Sequence, residues 1–189
     1  MDKQSALINL RAIRNSYYYG LVLRFMDSED GHKQLLEFVQ QPLAFKTKKG
    51  NVQQVDLSTE FGTIFADVDD AQAMACNFEL SLLRMLYRDP FEVAREYLEK
   101  SKQTSRVSRL HWYAFGRLLR NATSHETGLL IVEWPERKKN GVMVKDPEPI
   151  AWGNWCIYEK DLPIELVVDH VEALLLFEDI KVSLEKELD

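Results

Sequence analysis

Cysteine is scarce. Cys76 and Cys156 stand 80 positions apart and form no Cys-x-x-Cys, which argues against a disulfide framework and against a thiolate metal site. No stretch approaches the roughly 18 uninterrupted apolar residues of a membrane span. Met1-Asp2-Lys3-Gln4 lacks the basic start and apolar run of a signal peptide. The expectation is a reduced, cytoplasmic protein with no membrane partner, in which the sequon Asn121-Ala122-Thr123 goes unused. There is no glycine-rich phosphate loop, Gly-x-Ser-x-Gly elbow or His-Glu-x-x-His, which removes the common nucleotide-binding, hydrolase and metalloprotease readings. Positive charge is in deficit, with 24 basic against 30 acidic residues and a net charge of −6. Such a surface does not attract polyanions everywhere, so a nucleic acid must be held by a local patch.

What is present is enough for a core. Apolar residues make up 46% of 189 and aromatics 11%, so neither metal nor disulfide is needed to hold one domain of 22.0 kDa together. Helical periodicity dominates. Ala71, Met74, Ala75, Phe78, Leu82, Met85 and Leu86 recur at three-four spacing behind Asp67, Asp69 and Asp70, whose carboxylates suit a helix N-terminus. Asp89-Pro90 is expected to stop that helix and start another through Val93, Ala94, Tyr97 and Leu98, giving an antiparallel pair. An N-terminal helix carries Leu10, Ile13, Tyr17 and Leu21. A last helix after Pro163 carries Ile164, Val167, Val168, Val171 and Leu175. Strand character is confined to a hairpin over Ala44 to Leu57 with its turn at Lys49-Gly50-Asn51, and to Leu129–Trp134 with Trp155–Tyr158, the two flanking a turn-rich segment. The sequence thus predicts an all-α bundle of about five helices with a small β-hairpin insertion before the last. It reads as one domain, 1–189: N-terminal helices and a hairpin-like extension over 1–66, then a core bundle over 67–189 with its β insertion at about 129–158.

The most informative stretch runs from Lys100 to His125. Lys100, Lys102, Arg106, Arg109, Arg117 and Arg120 give six positive charges with no acid between them, which leaves −12 on the rest of a chain of net −6. On one ideal helix Lys102, Arg106, Arg109, Tyr113, Arg117, Arg120 and Ser124 fall within about 80° of arc, a basic stripe that suits a phosphate backbone. A solvated helix face is the plain alternative, since helices often segregate charge.

The stretch ends in Arg120-Asn121-Ala122-Thr123-Ser124-His125. This ending resembles the HEPN superfamily, whose members carry Arg-x(4–6)-His near the end of a bundle helix, often with a polar residue after the Arg. The resemblance covers the order of elements from about Asp67 onward, and in residues it rests on this one motif. It implies an all-helical, usually dimeric protein. Many members are metal-independent endoribonucleases of toxin–antitoxin and phage-defence systems, and others have lost catalysis. Arg106 and His111 repeat the spacing, but Val107 follows that Arg, and His111 falls on a stripe with Leu110, Ala114 and Leu118, as a packed or hydrogen-bonded histidine would. Requiring Asn after the Arg makes a chance match about twenty-five-fold rarer, and the Arg120 copy alone meets it.

Cleaving RNA without a metal takes a base for the 2′-hydroxyl proton, an acid for the leaving oxygen and fixed positive charge at the phosphorane. His125 suits either proton role near neutral pH, Arg120 clamps phosphate oxygens, and Asn121 orients phosphate or imidazole. On an ideal helix Arg120 and His125 are about 140° apart, so the last turn must unwind or a second subunit must contribute. The resemblance therefore implies transesterification to a 2′,3′-cyclic phosphate by a homodimer, with RNA as substrate, no cofactor or metal, and an antitoxin or other protein as restraint. Lys102, Arg106, Arg109, Tyr113, Arg117 and Ser124 would contact the substrate, and Glu126 and Glu79 would support the motif. Against these stand a dipole-satisfying histidine at a helix end for His125, and a surface ion pair for Arg120. A tyrosine two residues after the His serves nucleotide transfer in some family members, and Thr127 stands here instead. His32 and His170 lack ligand-spaced partners, and Glu165, Asp169 and Glu172 read as a wet helix face. Trp112, Trp134, Trp152 and Trp155 read mainly as core or hairpin packing.

Overall fold

A computed structural model of the chain describes residues 1–24, 29–38, 43–46, 52–55, 62, 66, 68–123, 130–139, 141–166 and 168–187. Its α-helices are α1 (Lys3–Arg24), α2 (Glu29–Phe38), α3 (Val68–Lys100), α4 (Tyr113–Thr123) and α5 (His170–Val182). Its strands are β1 (Leu43–Lys46), β2 (Val52–Val55), β3 (Leu130–Ile131), β4 (Glu136–Lys139), β5 (Val142–Lys145), β6 (Ile150–Trp152), β7 (Trp155–Ile157) and β8 (Ile164–Glu165). Among the described residues the strands form four separate two-stranded antiparallel pairs, β1 with β2, β3 with β8, β4 with β5 and β6 with β7. No helix among the described residues is long and apolar enough to cross a membrane.

The chain divides into two compact units, Tyr18–Leu82 and the remainder, Met1–Tyr17 with Leu83–Asp189. In the first, the β1–β2 hairpin forms where the sequence places it, Leu43 opposite Val55 and Lys46 opposite Val52, while its turn residues Lys49, Gly50 and Asn51 lie outside the described residues. Leu82 packs onto the backbone of α1 at Gly20. A Cβ there would overlap Leu82 Cδ2, so a larger residue at this position requires the Leu82 side chain to shift. In the larger unit, Leu10 and Tyr17 of α1, Leu86, Tyr87, Phe91 and Leu98 of α3, Phe115, Leu118 and Leu119 of α4, and Leu176, Phe177 and Ile180 of α5 are buried. Trp112 is fully buried too, and its indole N–H donates to Ser183 Oγ at 2.9 Å.

An all-α bundle of about five helices is not what forms, and three local reasons explain the difference. First, Asp89-Pro90 does not separate two helices: α3 runs through Pro90. Proline inside a helix costs about 3 kcal/mol, and burial of Leu86, Tyr87, Phe91 and Ala94 on either side offsets it.

Second, the expected helix from Lys100 to His125 is broken. α3 ends at Lys100, a 3₁₀ segment follows over Thr104–Arg109, and α4 starts only at Tyr113. The break is a Schellman turn: Gln103 N–H donates to Leu98 O at 2.9 Å, Lys102 N–H to Glu99 O at 3.2 Å, and Lys102 takes a positive φ of 58°. Glycine usually fills that position. Lysine there hides the stop from the sequence.

Third, the C-terminal apolar stripe is out of phase. Pro163 does not open the last helix. Ile164 and Glu165 pair with β3, and α5 begins after Asp169, whose carboxylate accepts from Glu172 N–H at 2.8 Å in a capping box with Glu172. Ala173, Leu176, Phe177 and Ile180 then face inward, while Val171 and Leu175 are 64% and 56% exposed. The β insertion is also larger than a single hairpin. β4–β5 folds within the turn-rich segment, and β6–β7 turns at Gly153, at a φ of 56°.

Lys102→Gly discriminates the broken helix from a continuous one. Removing the Cβ from a left-handed position raises unfolding stability by about 1 kcal/mol, whereas a continuous helix loses about that much. Urea denaturation measures the sign. In the same assay Leu176→Ala costs about 2–5 kcal/mol and the neighbouring Leu175→Ala less than about 0.5 kcal/mol.

Candidate functional site

Of the residues singled out in the sequence, Arg120 and Asn121 are described, on the last turn of α4. Ser124, His125 and Glu126 lie outside the described residues. α4 forms because Phe115, Leu118, Leu119 and Ala122 give it an apolar face, and Gly116 lets it pass close to α3: a Cβ at Gly116 would sit 3.1 Å from Phe91 Cδ2. This packing turns Arg120 toward Glu92, one residue beyond Phe91.

Arg120 Nε donates to Glu92 Oε1 at 2.5 Å, and Arg120 Nη1 donates to Asn121 Oδ1 at 3.2 Å. The second oxygen of the same carboxylate, Glu92 Oε2, takes Arg95 Nη2 at 2.6 Å. Two guanidiniums therefore share one carboxylate, and the trio carries a net +1. Glu92 and Arg120 are 27% and 31% exposed and Arg95 is 46% exposed, so the edge of the cluster is open to solvent. Tyr113 lies beside it, half-buried. Burial lifts its phenol above the ordinary range, against the opposing effect of Arg117 and Arg95 nearby.

The basic stripe does not survive as one face. Lys100 ends α3 and pairs with Glu96 at 2.7 Å. Lys102 is the left-handed residue of the turn. Arg106 lies in the 3₁₀ segment, donating to Gln103 Oε1 at 3.2 Å, and the side chain of Arg109 lies outside the described residues. Arg117 is bonded to Asp146, in a pair whose side chains are 14% and 6% exposed. Asp146 is itself fixed, its N–H donating to Pro135 O at 2.9 Å and its carbonyl accepting the Trp134 indole N–H at 2.8 Å. Arg117 thus anchors the β insertion to α4. Of the expected contacts, α4 keeps Tyr113 and Arg117 with Arg120, Lys102 and Arg106 lie outside that helix, and Ser124 and the side chain of Arg109 lie outside the described residues.

The second Arg-x4-His copy is divided between two structures. His111 is 62% exposed and lies in the turn before α4, not on an apolar helix stripe. Its Nε2 is 3.1 Å from Asp179 Oδ2, which also accepts the Trp152 indole N–H at 2.8 Å. His170 begins α5, with its Nδ1 2.7 Å from the Tyr17 hydroxyl, and the side chain of His32 lies outside the described residues. All four indole N–H groups have protein acceptors, and Trp152 and Trp155 stack on Phe115 at 5.1 and 6.1 Å. Among the described residues no group of three His, Cys, Asp or Glu could hold a metal ion.

Glu79, the acid expected to support Arg120, sits in the smaller unit. Within the larger unit the carboxylate on Arg120 is that of Glu92. Sequence reading missed Glu92, Arg95 and Asp146. Glu92 and Arg95 have the i,i+3 spacing of a helical ion pair and were findable, whereas nothing local links Arg117 to Asp146. The chain matches no protein-family model, and comparison with curated proteins and with solved structures gives no significant match.

If Arg117 is an anchor, its removal shows as instability. Arg117→Ala or Asp146→Ala alone is expected to cost about 3–5 kcal/mol by leaving a buried charge. The double variant should cost clearly less than the two losses together, in a denaturation cycle.

Proposed function

We propose that this chain is a metal-independent endoribonuclease of HEPN type that cleaves RNA by attack of the 2′-hydroxyl, with Arg120, Asn121 and His125 as its active motif. The observation that carries the reading is the preset Arg120 guanidinium, held through Nε by Glu92 and through Nη1 by Asn121, five residues before the histidine in the sequence. An arginine already oriented loses little freedom when a phosphate arrives, and its planar fork matches two phosphate oxygens. The Arg106 copy has no comparable arrangement, because His111 is committed to Asp179.

In this reading His125 takes the proton from the 2′-hydroxyl and that oxygen attacks phosphorus. The bond to the 5′ oxygen breaks, and the departing oxygen receives a proton from the partner's His125. The products are a 2′,3′-cyclic phosphate and a 5′-hydroxyl. Arg120 stabilises the extra negative charge on the phosphorane, and Asn121 holds a phosphate oxygen. A homodimer supplies both proton roles, and a cytoplasmic nuclease of this kind acts as a toxin or defence effector under an antitoxin or other protein. The RNA path is short: the +1 trio of Glu92, Arg95 and Arg120 replaces the longer stripe.

One observation favours a second reading, a helical module that binds RNA, a nucleotide or a protein without cutting. Lys100, Arg106, Arg117 and Arg120 all have intramolecular acceptors, as they would if their charge were structural.

Incubating labelled cellular RNA with purified protein in excess EDTA decides between them. Wild type is expected to cut, and His125→Ala and Arg120→Ala to fall by about 10²-fold or more. His111→Ala should cut as wild type does. Persistent cleavage by His125→Ala, or no cleavage by any protein on several RNA pools, contradicts the nuclease.

A further inference from the structure

Away from the Arg120 motif, α1 and the C-terminal helix enclose a cavity of about 290 Å³ lined by Gln4, Leu7, Ile8, Arg11, Arg14, Phe177, Lys181 and Glu185. The α1 residues Gln4, Leu7, Ile8 and Arg11 follow the i, i+3, i+4, i+7 spacing of one helix face, and Phe177, Lys181 and Glu185 are spaced by four. The lining is divided in character. Leu7, Ile8 and the fully buried Phe177 give an apolar wall, and Arg11, Arg14 and Lys181 bring three cations.

The charges in this cavity are incompletely matched. Glu178 lies beside it, and its two oxygens are already taken, one by Lys181 Nζ at 2.9 Å and the other by Arg14 Nη1 at a long 3.5 Å. Arg14 Nε is buried with no hydrogen-bond acceptor among the described residues. A buried charged donor without a partner costs about 1–3 kcal/mol or more, and folded proteins seldom leave one without a use. With Glu178 and Glu185 counted, the five ionisable groups sum to +1, which leaves the site electropositive and favourable to an anion.

We propose that this cavity is a binding site for a small organic anion, a phosphomonoester with an apolar body. The anionic oxygens meet the Arg11 and Arg14 guanidiniums, with Lys181 adding charge, and the apolar body lies against Leu7 and Ile8. Arginine favours phosphate because its planar fork pairs with two oxygens at once. The volume is at the small end of ligand sites, near the lower bound of about 300 Å³, which limits the ligand to a compact molecule. None of the lining residues belongs to the nuclease motif, so this site stands or falls separately from it.

Calorimetric titration of the full chain with phenyl phosphate at low ionic strength tests the proposal. Saturable binding at one site per chain is expected, weakened about tenfold or more by Arg14→Gln and by Arg11→Gln. Arg14→Lys, which keeps the charge but loses the planar fork, should also weaken it, and Lys160→Gln, an equal charge change outside the cavity, should not. Arg11 is exposed, so its variant is expected to fold if the Arg14 variants do not. No saturable binding up to about 10 mM, or equal affinity in both the Arg11 and Arg14 variants, overturns the site. Inorganic phosphate binding as tightly as phenyl phosphate overturns the apolar half of the proposal.

Discussion

One carboxylate governs the candidate site. Glu92 accepts Arg120 from α4 through one oxygen and Arg95 from its own helix through the other, so the orientation of the Arg120 guanidinium is set by α3. The geometry requires α3 and α4 to lie close. Gly116 provides the approach to Phe91, and the burial of Phe91, Trp112, Phe115 and Leu119 holds it. The carboxylate alone contributes little stability, because its partners are partly exposed and water competes for them. Its effect is positional: it narrows the range of the Arg120 side chain while the packing beneath supplies the energy.

The same helix treats its two arginines differently. Arg117 and Arg120 are three residues apart on α4, yet Arg117 is buried against Asp146 while Arg120 remains at a partly open edge. Burial makes the first pair a fastening for the β insertion, with Trp134 bonded to the same aspartate's carbonyl. Partial exposure leaves the second in contact with solvent. Positive charge on a sequence is therefore a poor guide to a binding surface until its acceptors are known. Here only Arg120 of the stripe's five cations belongs to the Glu92–Arg95–Arg120 cluster.

The sequence showed the buried face of α1, the β1–β2 hairpin and the structural use of the four tryptophans, because each depends on local periodicity, turn residues or hydrophobic size. It misled where a local rule had an unusual occupant. Lys102 stands where a helix stop normally has glycine, and Pro90 sits inside a helix that packing sustains. Val171-Glu172-Ala173-Leu174-Leu175-Leu176-Phe177 is apolar on nearly every side, so periodicity alone does not fix which face is buried; the capping box at Asp169 does. For the site, the Arg120-Asn121 pair was legible as a motif. Glu92 as the acid beneath Arg120, and Asp146 as the partner of Arg117, depend on tertiary approach that no short spacing encodes.

The central claim is a reaction class, an attack by the RNA's own 2′-hydroxyl organised by Arg120 and His125. The most direct measurement is the chemistry of the product ends after incubation of a short defined RNA with the protein in excess EDTA. The account predicts a 2′,3′-cyclic phosphate on the upstream fragment and a 5′-hydroxyl on the downstream one. Fragments ending in 3′-hydroxyl and 5′-phosphate contradict it, because water, not the neighbouring hydroxyl, would then be the nucleophile.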